Sequence, residues 1–430
     1  MPRPLPAHLA AAMMLWLSSR AALTSWPGGS PPSNAPFPAL PANPAGERVA
    51  ALAAAIAQRG PEPVAAALDR HLRGRAEAFL KGLETYRHHP YRRPADRAPV
   101  RWRRGAARLR DYGTGAGGPA VLLIPSLINR YYILDLLRER SFVRHLAGAG
   151  LRPLVLDWGE PGAAERGFTL DDYIAGPLDE ALSAAAALAG GRVALIGYCM
   201  GGLLALAAAA RRPADIAALV LLATPWDFHA ERPEEARLLG ALAEFLPGFC
   251  PGDAPLPVAA LQSLFMALDP FLGERKFVRF AALDPEGAAA REFVALEDWI
   301  NDGVPLAQKV ALHCARSWYR DNEPARGLWR VAGRPVIAAE IAAPTLVVVP
   351  GRDRIVPPRS AEPLAAAIPG ASIMRPPLGH IGMMASRDAP EKLWQPLADW
   401  LGARLRRDSP TARPRRGTVP VSRGPRRSGG

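Results

Sequence analysis

Three residues of this chain carry side chains that could work together on an acyl group. Cys199 lies in Gly197-Tyr198-Cys199-Met200-Gly201-Gly202, after the apolar run Val193-Ala194-Leu195-Ile196 and before a long Ala/Leu-rich stretch. Small residues two positions either side of a reactive side chain are what a tight strand-to-helix turn needs, because strand and helix approach closely there. A cysteine at the tip of such a turn stands beside the N-terminus of the next helix, whose free N–H groups and positive dipole end favour a thiolate. A thiolate needs a base to form, and the base needs an acid to orient it. Asp353 follows the apolar run Thr345-Leu346-Val347-Val348-Val349-Pro350, and His380 lies in Gly379-His380-Ile381-Gly382 after the short run Ala371-Ser372-Ile373-Met374-Arg375. Singly these are a buried cysteine, a capping aspartate and a surface histidine. Together, each just past a strand-like run, they point to nucleophilic acyl transfer through a covalent intermediate.

The order nucleophile, acid, histidine is that of α/β hydrolases. Ala120 to Ile124, Leu154 to Leu156, the run before Cys199, Ala218 to Ala223, Thr345 to Pro350 and Ala371 to Arg375 read as strands. Helical patterns alternate with them, such as Leu170 to Ala189 opened by Thr169 as N-cap. The expected fold class is therefore α/β, an α/β-hydrolase fold with a mostly parallel sheet and helices on both faces. The alternation stops between Trp226 and Ile341, so a cap inserted over the active site is expected at about 229–335. The oxyanion donors of this fold are the backbone N–H after the nucleophile, Met200, and one from the loop after the first such strand, at Leu127 or Ile128.

The catalytic domain is expected over 106–402. Before it, 1–45 holds an apolar helix, Ala7 to Leu23, and an unstructured Pro/Gly/Ser-rich segment. The stretch 46–105 is expected to be a helical extension broken at Gly60-Pro61, followed by a basic linker from Tyr86 to Arg104. A disordered Arg-rich tail, 403–430, is expected at the end. Net charge is +13, from 53 Lys+Arg against 40 Asp+Glu, and nine of the arginines fall from Arg404 onward against the single acid Asp408. The folded part is thus only mildly basic, and the basic linker, with no aromatic stacking pattern or binding motif, reads as a solvated connector and not as a nucleic-acid site.

Cys199, Cys250 and Cys314 form neither a disulfide framework nor a metal-binding spacing, and they fit a reducing, cytoplasmic compartment. No metal or cofactor is expected. Cys250 and Cys314 fall in the insertion, outside any elbow, and are read as dispensable. The apolar run Leu9 to Leu17 is too short to span a bilayer. Pro2, Pro4, Pro6 and Arg20 around it favour a docking or surface-anchoring helix over a signal peptide.

The elbow, the loop Leu127 to Leu136, the runs Leu156-Asp157-Trp158-Gly159 and Thr169-Leu170-Asp171-Asp172-Tyr173-Ile174, and Gly379-His380-Ile381-Gly382 together resemble polyhydroxyalkanoate synthases. Within the insertion, Glu297-Asp298-Trp299-Ile300 and Trp318-Tyr319-Arg320-Asp321-Asn322 add to the resemblance, which covers roughly 95–402. One departure is Leu378, where synthases usually have glycine. The resemblance implies an acyltransferase that loads the acyl group of a 3-hydroxyacyl-CoA onto Cys199, and lets the hydroxyl of another unit attack it to lengthen a polyester. His380 would be the base and Asp353 its orienting acid, or in some readings of the family a helper for the hydroxyl itself. A homodimer, a second synthase subunit and the polyester granule surface are the macromolecular partners it implies. Two other readings compete: a hydrolase with the same triad, such as a polyester depolymerase or thioesterase, and a non-catalytic granule coat, which would have no need of the triad.

Overall fold

The computed structural model describes residues 2–24, 51–114 apart from 52, 53 and 57, then 117–245, 248 and 250–405. The expectations for the Pro/Gly/Ser-rich segment and for the Arg-rich tail beyond Leu405 lie outside the described residues. An eight-stranded sheet runs in the order β1 (Val100–Arg104), β2 (Ala107–Asp111), β4 (Arg152–Asp157), β3 (Ala120–Ile124), β5 (Val193–Tyr198), β6 (Ile216–Leu222), β9 (Thr345–Val348), β10 (Ser372–Met374). β7 (Arg330–Val331) and β8 (Arg334–Pro335) form a separate small hairpin. From β4 to β10 all pairings are parallel, whereas β1 and β2 pair antiparallel with each other and β2 with β4.

Successive strand residues divide between two cores, as the period of two requires. Leu122, Leu195, Leu219, Leu221 and Val347 pack in one, together with residues of the helices Asp179–Ala189, Met200–Arg211 and Pro358–Ala367. Val121, Leu123, Ile196, Val220 and Val348 pack in the other, against the helices Phe142–Gly148 and Gln395–Leu405. Strands buried on both faces must be apolar throughout, which is why β3, β5 and β6 read as unbroken hydrophobic runs.

Two expectations are corrected. The stretch Val100–Arg104, placed in the basic linker, is the edge strand of the main sheet. Its arginines face outward and two of them find acids, Arg101 on Asp111 at 3.0 Å and Arg104 on Glu180, so a charged strand at a sheet edge has the composition of a solvated connector. The helix expected over Leu170–Ala189 is interrupted by a π-helical turn at Ile174–Leu178 containing Pro177, which cannot donate to the ladder. Its start is as expected: Thr169 and Asp172 form a reciprocal capping box.

The insertion after β6 is helical, with segments at Pro233–Leu242, Val258–Leu268, Leu272–Phe280, Ala288–Asn301 and Gln308–His313, and a π-helical segment at Cys314–Arg320. The N-terminal helices Leu5–Thr24 and Pro61–His88 lie on this insertion. Ala12, Phe79, Leu83 and Tyr86 share a third cluster with Phe277, Phe280, Ala290 and Val294. No described helix is long and apolar enough to cross a membrane.

Candidate active site

The elbow is built from backbone clearance. A Cβ on Gly201 would stand 2.0 Å from the Ile124 carbonyl oxygen, one on Gly202 1.8 Å from Thr224 Oγ1, and one on Gly197 2.4 Å from the Gly202 Cα. These contacts leave no room for side chains and let the helix Met200–Arg211 start against β3, β5 and the end of β6. Cys199 is held at φ 57°, ψ −127°, a strained backbone for a residue with a side chain. It is pinned there by its own N–H donating to the Leu222 carbonyl at 2.8 Å and by its carbonyl accepting from Gly202 N–H at 2.9 Å. The result is a thiol projected from the carboxyl end of the sheet at a helix N-terminus.

Asp353 and His380 arrive from the loops after β9 and β10. The two loops are tied together by Gly351 N–H on the Pro376 carbonyl and Arg352 N–H on the Leu378 carbonyl, both at 2.9 Å. Asp353 Oδ1 accepts from the N–H groups of Ile355 at 2.8 Å and Val356 at 2.9 Å, while Oδ2 accepts from His380 Nδ1 at 2.7 Å. With Nδ1 so engaged, Nε2 is the ring nitrogen left for the Cys199 side chain, whose charge acts on the imidazole. Leu378 fits without strain: neither it nor Gly379 has a positive φ, and its side chain is packed in the second core. A glycine is not required at that position in this loop.

Burial alone would lower the pKa of His380, but the charge of Cys199, the hydrogen bonds to Asp353 and Cys199 and the charge of Asp353 outweigh it and push it up to about 10. An imidazole with its pKa raised in this way holds its proton more tightly beside the Cys199 side chain than a free histidine would. Tyr198 closes the far side of the ring, stacked on it with centroids 5.2 Å apart, and its hydroxyl donates to the His380 carbonyl at 3.2 Å. Burial pushes the Tyr198 phenol well above its ordinary pKa, so it stays a neutral donor.

Met200 opens its helix, and the first N–H groups of a helix have no partner within it. In the loop after β3, the Ile128 N–H is taken by the Ser126 hydroxyl at 3.1 Å. The loop is fixed from both sides. Trp158 Nε1 donates to the Pro125 carbonyl at 3.0 Å, and from the insertion Val304 N–H donates to the Ile128 carbonyl at 3.0 Å and Trp299 Nε1 to the Arg130 carbonyl at 2.8 Å.

Tyr319 was part of a run singled out only for its resemblance, with no role attached. Its hydroxyl lies where the charges of both Cys199 and Cys314 raise its pKa, after burial, to about 12. Cys314 packs against the same large cluster as Cys199, and burial pushes its thiol up to about 12, which makes it a poor nucleophile. Cys250 is buried at the first core. Among the described residues no group of His, Cys, Asp or Glu is arranged to hold a metal ion.

The sequence profile of the alpha/beta hydrolase fold family matches residues 119–385, so fold and elbow together place the chain in that class. Within it, the chain is 30% identical over 296 residues to the poly(3-hydroxyalkanoate) polymerase subunit PhaC of Allochromatium vinosum, a match covering 66% of this chain and 81% of the relative. It is 29% identical over 297 residues to the protein of the same name from Synechocystis sp., covering 66% and 78%. For the namesake from Haloferax mediterranei the identity is 28% over 293 residues, and the match spans 66% of this chain and 58% of the relative. The chain belongs to the poly(3-hydroxyalkanoate) polymerase family.

Proposed function

We propose that the protein polymerises 3-hydroxyacyl-CoA thioesters into a polyester with release of CoA, using Cys199 as nucleophile, His380 as base and Asp353 as its orienting acid. One observation carries this reading: a cysteine at a strained elbow at the carboxyl end of the sheet, with a histidine that is held through Nδ1 by a buried aspartate and is close enough to feel the charge of the cysteine. His380 takes the thiol proton, and the thiolate sulfur attacks the thioester carbonyl. The C–S bond to CoA then breaks, and CoA leaves with the proton from the imidazolium. Next, the hydroxyl of a second acyl unit gives its proton to His380 and attacks the acyl-cysteine, forming the ester and releasing the thiolate. Cysteine suits the first step because exchange between two thioesters loses little free energy.

With its three acceptor contacts filled and its side chain fully buried, Asp353 supports the orienting role over direct contact with the attacking hydroxyl. In this reading the oxyanion forms against the N–H groups of Met200 and Leu127, the Ile128 N–H being occupied by Ser126. Each such donor contributes on the order of 3 kcal/mol to the transition state. A second synthase subunit, a homodimer and the granule surface belong to the same proposal, as does a cytoplasmic location, which the three unpaired cysteines support.

Incubation with 3-hydroxybutyryl-CoA tests it, with CoA release followed by a thiol reagent and the product analysed. Polymer together with CoA is expected, and Cys199→Ala should release no CoA while keeping the wild-type melting temperature. Free 3-hydroxybutyrate as sole product would replace the polymerase by a hydrolase with the same triad.

A further inference from the structure

A base that takes a thiol proton must hold its free nitrogen toward the sulfur while the proton moves. Asp353 fixes one edge of the His380 imidazole, through Nδ1 at 2.7 Å. One hydrogen bond at one edge still lets a flat ring rock about that bond, and Nε2, on the far side of the ring, swings furthest. A second contact, on the face of the ring, is needed to fix its plane.

Tyr198 supplies that contact. Its ring is stacked on the imidazole, with centroids 5.2 Å apart and planes 29° from parallel. Its hydroxyl donates to the His380 carbonyl at 3.2 Å, so one side chain holds both the ring and the backbone that carries it. A buried tyrosine needs a partner for its hydroxyl, and Tyr198, 4% exposed, finds it in the main chain of the base itself. Its own position is rigid. Tyr198 ends β5, pairs with Leu222 of β6, and packs in the second core with Leu378 and Met383, which flank His380 in sequence. The next residue is Cys199, whose N–H donates to the carbonyl of the same Leu222. One strand end therefore carries both the nucleophile and the wall against which the base is set.

We propose that Tyr198 is a positioning residue for His380, its ring face setting the plane of the imidazole so that Nε2 stays directed at Cys199. This rests on His380 being the base in the reading above, and it holds whether the acyl-cysteine passes to a hydroxyl or to water.

Two substitutions divide the contact: Tyr198→Leu removes the ring face and the hydroxyl, Tyr198→Phe the hydroxyl alone. Single-turnover acylation of Cys199 by 3-hydroxybutyryl-CoA, followed by intact mass at saturating substrate, is expected to slow about tenfold to a hundredfold in Tyr198→Leu. In Tyr198→Phe, which loses one hydrogen bond, it should slow less than about fivefold. Alkylation of Cys199 by iodoacetamide, located by peptide mass, separates positioning from a merely structural role. An unassisted thiol is mostly protonated at neutral pH, so a misplaced base slows alkylation. Tyr198→Leu should slow it when His380 is present and change it less than about twofold in the His380→Gln background, where there is no imidazole to place. Equal slowing in both backgrounds, wild-type acylation in Tyr198→Leu, or a Tyr198→Phe variant as slow as Tyr198→Leu overturns the assignment. Should Tyr198→Leu melt below the assay temperature, Tyr198→Met, which fills more of the space without an aromatic face, takes its place. Acylation at full rate in His380→Gln alone would sink the triad reading itself, whatever the Tyr198 variants do, and the inference with it.

Discussion

At the Cys199 turn and along the seam between the N-terminal helices and the cap, elements meet equally closely but are held by different means. The turn rests on side chains that are missing: at Gly197, Gly201 and Gly202 an added Cβ would collide with backbone or with buried Thr224. The seam uses close glycines too, Gly82 against the Phe277 carbonyl and Gly273 against His8, but side chains supply most of its bonds. Arg75 grips the buried Glu274 with two nitrogens, the Tyr86 hydroxyl donates to Asp298 at 2.7 Å, and Phe277 meets both Phe79 and Tyr86 edge-on. Chemistry at Cys199 needs placement to within a fraction of an ångström, which backbone contact enforces all at once. A cover needs only to stay in place, and many separable contacts do that in graded fashion.

The largest effect should come from breaking the turn. Gly201→Ala puts a methyl group 2.0 Å from a strand carbonyl that cannot move without disturbing β3. The variant is expected to be insoluble or to melt far below wild type in a thermal scan, with no CoA release. A folded, active Gly201→Ala protein would mean that the turn is not the rigid frame described.

Next in size is the division between base and acid. His380→Gln should stop acylation of Cys199, since in the proposed mechanism His380 takes the thiol proton. Asp353→Asn should leave acylation partly intact, because the thiol still faces an imidazole and a helix N-terminus, while attack by the far less acidic hydroxyl suffers more. An acyl-enzyme is then expected to accumulate in the Asp353 variant and be visible by intact mass, and to be absent from the His380 variant. Acylation at full rate in the His380 variant would remove His380 from the mechanism. The same residue sets a pH dependence. With its folded pKa raised from 6.5 to about 10, charged His380 contributes stability that is full below the unfolded value and is lost as pH rises through the folded one. The difference in urea unfolding free energy between wild type and His380→Gln should accordingly narrow between about pH 6.5 and 10. A gap that widens over that range would reverse the assigned direction.

The contrast between the two regions also governs what the sequence could tell. Backbone-dictated features leave a residue signature: three glycines around a cysteine, unbroken apolar strands, Thr169 with Asp172 three positions on. Each was legible, and the geometry brings Cys199, Asp353 and His380 together as their order suggests. Features made by side chains meeting across long separations leave little trace. Val100–Arg104 has the composition of a linker until Asp111 and Glu180 are placed beside it. The apolar N-terminal helix could have faced a granule or the protein, and Ala12 with Leu5, Leu9 and Trp16 against the cap's cluster shows that one of its faces is packed.

Smaller effects lie along the seam. Glu274 is 2% exposed, so Arg75→Ala would leave a buried carboxylate without its partner, at a cost of about 3 kcal/mol. Urea unfolding should register that loss, while the rate at which iodoacetamide alkylates Cys199 in the folded protein should change little, since the turn does not depend on the seam. Alkylation accelerated as much as stability falls would show that the seam and the turn act as one unit.

The smallest effect is expected where the first helix meets the second at the surface. Arg20 reaches Asp69 at 2.6 Å, but the arginine side chain is 59% exposed and the aspartate 23%. Coulomb attraction in a near-aqueous medium is weak, salt screens it, and holding a long side chain in one geometry costs entropy, so such pairs contribute between nothing and about 1 kcal/mol. Arg20 has other contacts as well, so a single substitution would mix them with the ion pair. A double-mutant cycle with Arg20→Ala and Asp69→Asn isolates the pair, and its coupling energy should be under about 1 kcal/mol and shrink at high salt. A salt-insensitive coupling as large as the loss expected for Arg75→Ala would mean that this contact is shielded from water like the buried pair, and that the N-terminal helix is held as firmly as the cap beneath it.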